Sequence, residues 1–116
     1  MFDIEIKFVI LSLDVKDDQI QPQVLSSNKD QFIYPSIKLD RTLALNNAKK
    51  LCFENYISLK LDWIEHKLLD IVQENNTISI YYVCNIPIES KLTNGFFIPT
   101  HQVIFDSVLQ KARSYI

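Results

Sequence analysis

The chain has 116 residues, 47% of them hydrophobic and 22% charged, with a formal net charge of −2. That length suits one domain, 1–116, large enough for a core and too short for two, and the apolar share excludes disorder. The weak acidity and the lack of any basic run exclude a broad electrostatic surface for nucleic acid.

Residues 2–13, "FDIEIKFVILSL", alternate Ile4, Ile6, Phe8 and Ile10 with Asp3, Glu5 and Lys7. A period of two predicts a strand with one buried face, becoming buried on both faces near Val9 and Leu11. The apolar run "FVILSL" is too short for a secretory signal and follows acidic residues instead of basic ones. No stretch approaches the roughly 20 apolar residues of a membrane span. "DVKDD" is a solvated turn, and "IQPQVLSS" is a second strand whose Pro22 places it near a sheet edge. "QFIYPSIKL" is a third short strand broken at Pro35, after which Asp40 or Thr42 can cap a helix.

From Leu43 to Tyr56, Leu45, Ala48, Leu51, Cys52 and Tyr56 recur at helical spacing, with Asn46, Asn47, Lys49 and Lys50 on the other side. "LKLDWIEHKLLDIVQEN" fits a helix or a strand pair bent near Glu65–His66, with His66 at the surface. "NTISIYYVCNIPI" is a strand entered through an Asn-Asn turn. "ESKLTNGFFIPT" is a loop, and "HQVIFDSVLQKARSYI" an amphipathic helix. Its apolar face is Val103, Ile104, Val108, Leu109 and Ala112, and Thr100 is its N-cap. The order is α/β of the α+β type, a mainly antiparallel sheet covered by helices.

Two features limit the chemistry. The chain holds one glycine, Gly95, so no glycine-rich loop can bring backbone amides close around a phosphate. Its two cysteines, Cys52 and Cys84, fit neither a disulfide framework nor a zinc knuckle, and read as buried thiols of a cytoplasmic protein.

In this order the chain resembles a Nudix domain over most of its length. "YPSIKLD" stands where that family keeps its Pro-Gly-Gly-Lys-x-Glu loop: Pro35, Lys38 and Asp40 agree in kind, and Ser36 and Ile37 replace the glycines. "TLALNNAKKLCFENYIS" resembles the helix of the Nudix box through Thr42, Leu43, Leu51, Glu54 and Ile57. "FFIPTHQVIFDSVLQKARSYI" is similar to the closing helix of ADP-ribose-type Nudix proteins and of Nudix-related transcriptional regulators, with His101 and Arg113 at matching places. The resemblance implies a mixed sheet flanked by helices and, in active members, hydrolysis of a nucleoside-diphosphate linkage by glutamates that hold Mg²⁺ or Mn²⁺.

Matched residue by residue, those glutamates are mostly gone: the first is Lys50, the next Phe53, and the last is kept as Glu54. The resemblance therefore implies a degenerate box with no cofactor, in a module that binds a protein partner or a nucleotide-like ligand. Self-association as a dimer is implied by the resemblance alone. Lys38, Lys49, Lys50, Glu54 and His101 are the candidate ligand-binding residues, since lysine can meet a phosphate as a point charge. Adjacent lysines and a lone glutamate are equally what a solvated helix face carries, and His101 can be a plain surface residue. The alternative is a divergent pyrophosphohydrolase that recruits Asp40, Glu65 or Glu74 and keeps a dependence on Mg²⁺ or Mn²⁺. A third reading makes loop 88–99 the partner surface of a small structural protein. Trp63, Phe96, Phe97 and Tyr34 serve packing or base stacking.

Overall fold

A computed structural model describes residues 2–103 and 106–116. In chain order the elements are β1 (Asp3–Lys16), β2 (Gln19–Ser26), β3 (Ser36–Leu39), α1 (Leu45–Glu54), a 3₁₀ turn (Leu61–Trp63), β4 (His66–Glu74), β5 (Thr77–Asn85), β6 (Phe96–Pro99), a 3₁₀ turn (Thr100–Gln102), α2 (Ser107–Ala112) and a closing 3₁₀ turn (Arg113–Tyr115).

The sheet runs β4-β5-β1-β2-β6, and β3 pairs the first half of β1. Every pairing is antiparallel except that of β1 with β5, which run parallel from Asp3↔Thr77 to Leu11↔Asn85. A parallel neighbour needs a long crossover, and the segment carrying β3 and α1 lies within it. β1 turns into β2 through Asp17 and Asp18, both at positive φ (53° and 60°), the geometry of a two-residue hairpin whose twist matches its strands. Asn75 takes the same role (φ 54°) between β4 and β5.

The alternation in β1 decides the layers. Ile6, Phe8 and Ile10 point to one face, where they meet Ala48, Cys52 and Phe53 of α1. Val9 and Leu11 point to the other, against Tyr81, Val83 and the Val108, Leu109 and Ala112 face of α2. Each fully buried large side chain contributes roughly 1.5–3 kcal/mol, so both helices are held mainly by these contacts. Among the described residues no helix is long and apolar enough to cross a membrane.

Several expectations are corrected. The periodicity puts Leu45 and Leu51 on the core face of α1, but they are 42% and 53% exposed. Phe53 is the larger group and lies on another side of the helix. It is fully buried, 5.8 Å from the Phe8 ring, and its seating turns Leu51 outward. Neither Asp40 nor Thr42 caps α1, whose N-cap position is Ala44 and makes no side-chain cap hydrogen bond. Instead the Thr42 N–H and hydroxyl donate to Asp40 Oδ1, at 2.8 and 2.7 Å, closing a turn ahead of the helix.

The closing helix is shorter than its apolar pattern. Thr100 opens a 3₁₀ turn, and the cap of α2 is Asp106, whose Oδ1 accepts from the Leu109 N–H at 2.7 Å. Ile104 lies outside the described residues. Within 88–99, Phe96–Pro99 is a strand, because its amides find partners along β2. β2 is next to the edge strand β6, and Pro22 lies in the half that β6 does not reach, so its edge-like position is as expected. The bent stretch after Leu59 resolves into the Leu61–Trp63 turn followed by β4. His66 is half-buried, its ring 6.2 Å from Phe8 and 6.0 Å from Tyr82.

Candidate functional site

α1 lies across one face of the sheet beside β3, and a cleft of about 500 Å³ opens between them. Its walls are Ser36 and Ile37 of β3, Lys50, Leu51, Cys52 and Glu54 of α1, and Asn55. Lys50 and Glu54 are four apart on the helix and so share one side of it. Lys49 is rotated away by about 100°, and its ammonium lies 4.7 Å from the centroid of the Tyr82 ring.

Both polar residues of α1 in the cleft are engaged with the Leu61–Trp63 turn. Lys50 Nζ is 3.1 Å from Asp62 Oδ2. The Leu61 N–H donates to Glu54 Oε2 at 3.2 Å, satisfying an amide at the start of that turn, and Lys60 Nζ is 3.7 Å from Glu54 Oε1. Sequence reasoning missed this turn because Asp62 and Trp63 sit in the stretch whose periodicity fitted helix and strand alike. Cys52 closes the floor of the cleft. Burial pushes its thiol up to about 12, so it is a thiol and not a thiolate at neutral pH.

The remaining candidates lie apart from these two. Lys38 pairs across the strand from Glu5 and sits 3.4 Å from Asp3 Oδ1, with both side chains largely in solvent. His101 lies by the β1–β2 hairpin end, in a depression shared with Lys16, Asp17 and Gln19. Of the acids that a divergent enzyme would recruit, Asp40 is bound to Thr42, whose hydrogen bonds hold its carboxyl below the ordinary range. Glu65 is 3.9 Å from Lys67, and Glu74 ends β4. Glu54 is the one carboxylate among the cleft residues.

This donor set does not fit a divalent cation. Mg²⁺ and Mn²⁺ want several oxygens converging on one point. Here one carboxylate is spent on an amide and a lysine, and an ammonium stands a turn away. Among the described residues no group of three or more His, Cys, Asp and Glu could hold a metal ion.

Just past the C-terminal end of α1, and sharing Asn55 with the cleft, a second polar depression is lined by Ser27, Tyr56, Thr93, Asn94 and Phe96. The Thr93 hydroxyl and the Asn94 amide donate to the Asn55 carbonyl at 2.9 and 2.7 Å, so the loop before β6 caps the C-terminus of α1. Gly95 makes this approach possible. Its φ is +84°, and a Cβ there would stand 2.9 Å from the Ser26 carbonyl oxygen. The only glycine serves a sheet turn, not a phosphate.

Comparison of the sequence with protein-family models and with curated proteins finds no match. The fold does match solved structures. A mutT/nudix family protein from Listeria innocua superposes with a TM-score of 0.71 at 10% identity, over 97% of this chain and 91% of that one. The NUDIX domain of Shewanella oneidensis NrtR, solved with ADP ribose, gives 0.66 at 15% identity, over 99% and 88%. The C-terminal domain of mouse MUTYH, solved in complex with human PCNA, gives 0.65 at 12% identity, over 99% and 88%. The chain therefore has a Nudix-like fold, a mixed sheet flanked by helices.

Proposed function

We propose that this chain is a single-domain Nudix-fold module without hydrolase activity, acting by binding, with a protein as its first class of partner. On this reading the helix α1 is a degenerate Nudix box. The observation that carries it is the use of the two polar α1 residues in the cleft. Lys50 and Glu54 tie α1 to the Leu61–Trp63 turn, while Phe53 is packed into the core. What would be a metal-binding face serves as a structural joint.

A nucleotide-like ligand remains a second reading, because the cleft beside Lys50 is open and lined by Ser36, Asn55 and Lys50. The fold neighbours support both classes, one solved with ADP ribose and one with a protein partner. The test is calorimetric titration with Mg²⁺ and Mn²⁺, followed by chromatographic detection of the nucleoside monophosphate that cleavage of a panel of nucleoside-diphosphate compounds would form. The expected result is neither metal binding nor turnover. Metal-dependent turnover that Glu54→Gln abolishes would establish the divergent pyrophosphohydrolase instead.

A further inference from the structure

Asn94 is the one asparagine of the chain that precedes a glycine, and two separate demands of the fold place that pair there. Position 95 needs glycine, because its φ is +84° and a Cβ would stand 2.9 Å from the Ser26 carbonyl oxygen. Position 94 needs a side-chain donor, because Asn94 Nδ2 donates to the Asn55 carbonyl at 2.7 Å, just past the end of α1. Asn94 is also exposed, in a segment outside any helix or strand.

Those demands bring together the groups of an intramolecular reaction. With no side chain on the next residue, the backbone nitrogen after Asn94 is left unshielded. The Gly95 nitrogen gives up its proton to hydroxide and attacks Asn94 Cγ. A bond forms between them, the Cγ–Nδ2 bond breaks, and Nδ2 takes a proton from water and leaves as ammonia. Water then opens the cyclic imide at either of its carbonyls. One opening leaves aspartate, and the other leaves isoaspartate, with the main chain running through the former side chain.

We propose that Asn94 is a self-modification site of this chain, and that its conversion releases the loop before β6 from the end of α1. The departing atom, Nδ2, is the one that bonds the Asn55 carbonyl, so the closed loop slows the reaction and local opening sets its pace. After conversion the donor is gone. A carboxylate then faces the Asn55 carbonyl at the C-terminal end of a helix, the end that disfavours anions. The bonds from the Thr93 and Asn94 N–H groups to the Tyr56 carbonyl, at 2.8 and 3.3 Å, are left to hold the loop with the Thr93 hydroxyl. Isoaspartate also lengthens the backbone just before Gly95, and the next residue, Phe96, must pair with Ser26. Asn55 lines the cleft beside Lys50, so the change reaches the candidate site. The reaction needs no ligand there, which makes it independent of the binding reading.

The intact protein is incubated at mildly alkaline pH beside the free peptide of residues 91–97. Both are followed by mass spectrometry with peptide mapping and by isoaspartyl-specific methyl transfer. The expected result is the mass gain of amide-to-acid conversion at Asn94, an isoaspartyl signal at the same place, and a native rate several-fold below the peptide's. The modified chain, separated by anion exchange, should melt at a lower temperature and exchange its Thr93 amide faster. Asn94→Gln keeps a side-chain amide on a longer arm that closes a ring far more slowly, and its mass should hold steady. Asn94→Asp carries the carboxylate without the lengthened backbone, and should reproduce part of the fall in melting temperature. An unchanged Asn94 in the native chain, after the peptide has fully converted, overturns the proposal. So does conversion of the other asparagines at the same pace, or a modified chain whose melting and exchange match the parent's.

Discussion

Lys50 Nζ lies 3.1 Å from Asp62 Oδ2, spanning the gap between α1 and the Leu61–Trp63 turn. An ion pair this exposed contributes only about 0–1 kcal/mol by itself. Its importance is positional. One helical turn on, Glu54 accepts from the Leu61 amide, so two residues of α1 grip one short segment at successive points. The side of α1 that faces the cleft is thereby given to holding Trp63 in place.

Reversing the charge at position 50 should change that chemistry. Lys50→Glu removes the ammonium and adds a carboxylate beside Asp62 and Glu54, the hard oxygen donors that divalent cations prefer. The variant is expected to show heat on titration with Mn²⁺ and a melting temperature that rises with Mn²⁺. The parent should show neither. A variant as indifferent to Mn²⁺ as the parent would mean that the three carboxylates do not converge.

On the opposite face, the Tyr34 hydroxyl donates to both carboxylate oxygens of Asp106, at 3.0 and 3.1 Å, while Asp106 caps α2. Tyr34→Phe should cost about 1–2 kcal/mol, and Asp106→Ala a similar amount through the lost cap. A double-mutant cycle by chemical denaturation should show coupling between them. Burial and then the neighbouring carboxylate push the Tyr34 phenol well above its ordinary value. A folded-state pKa raised in this way gives stability that is complete below the unfolded value of about 10 and is lost as pH rises beyond it. The gap in stability between parent and Tyr34→Phe should therefore be constant at neutral pH and narrow in alkali.

Cys52 and Cys84 are both free, and burial pushes each thiol up to about 12. At neutral pH neither should react with a thiol reagent on the timescale of mixing, and both should react once the chain is unfolded in guanidinium. Rapid labelling of Cys52 in the native protein would mean that the floor of the cleft opens.

Much of this was legible in the residues, and the failures have physical causes. The alternation in β1 named both of its buried faces, and the Asn-Asn turn named the start of β5. Helical periodicity found α1 but not its rotation, because spacing treats Leu51 and Phe53 alike while packing favours the larger ring. Asp106 was overlooked as a cap because Val103 and Val108 together suggested one continuous helix. Lys50 and Glu54 were found as candidates, yet their partner Asp62 was not. No local pattern announces a three-residue turn whose amide is satisfied by a helix seven residues earlier.

Gly95 offers a test of the loop that closes the end of α1. Its positive φ and the nearness of the Ser26 carbonyl oppose any side chain. Gly95→Ala should destabilise by more than about 1 kcal/mol. Amide exchange in that variant should rise first at Thr93 and Asn94, whose N–H groups donate to the Tyr56 carbonyl.

The most direct test of the central claim is the formation of AMP from ADP-ribose and related nucleoside-diphosphate compounds, with Mn²⁺ and Mg²⁺, for the parent and Glu54→Gln side by side. If α1 is a structural joint and not a catalytic helix, the two proteins give the same background rate at every metal concentration. Metal-dependent turnover by the parent, lost in Glu54→Gln, would contradict the account.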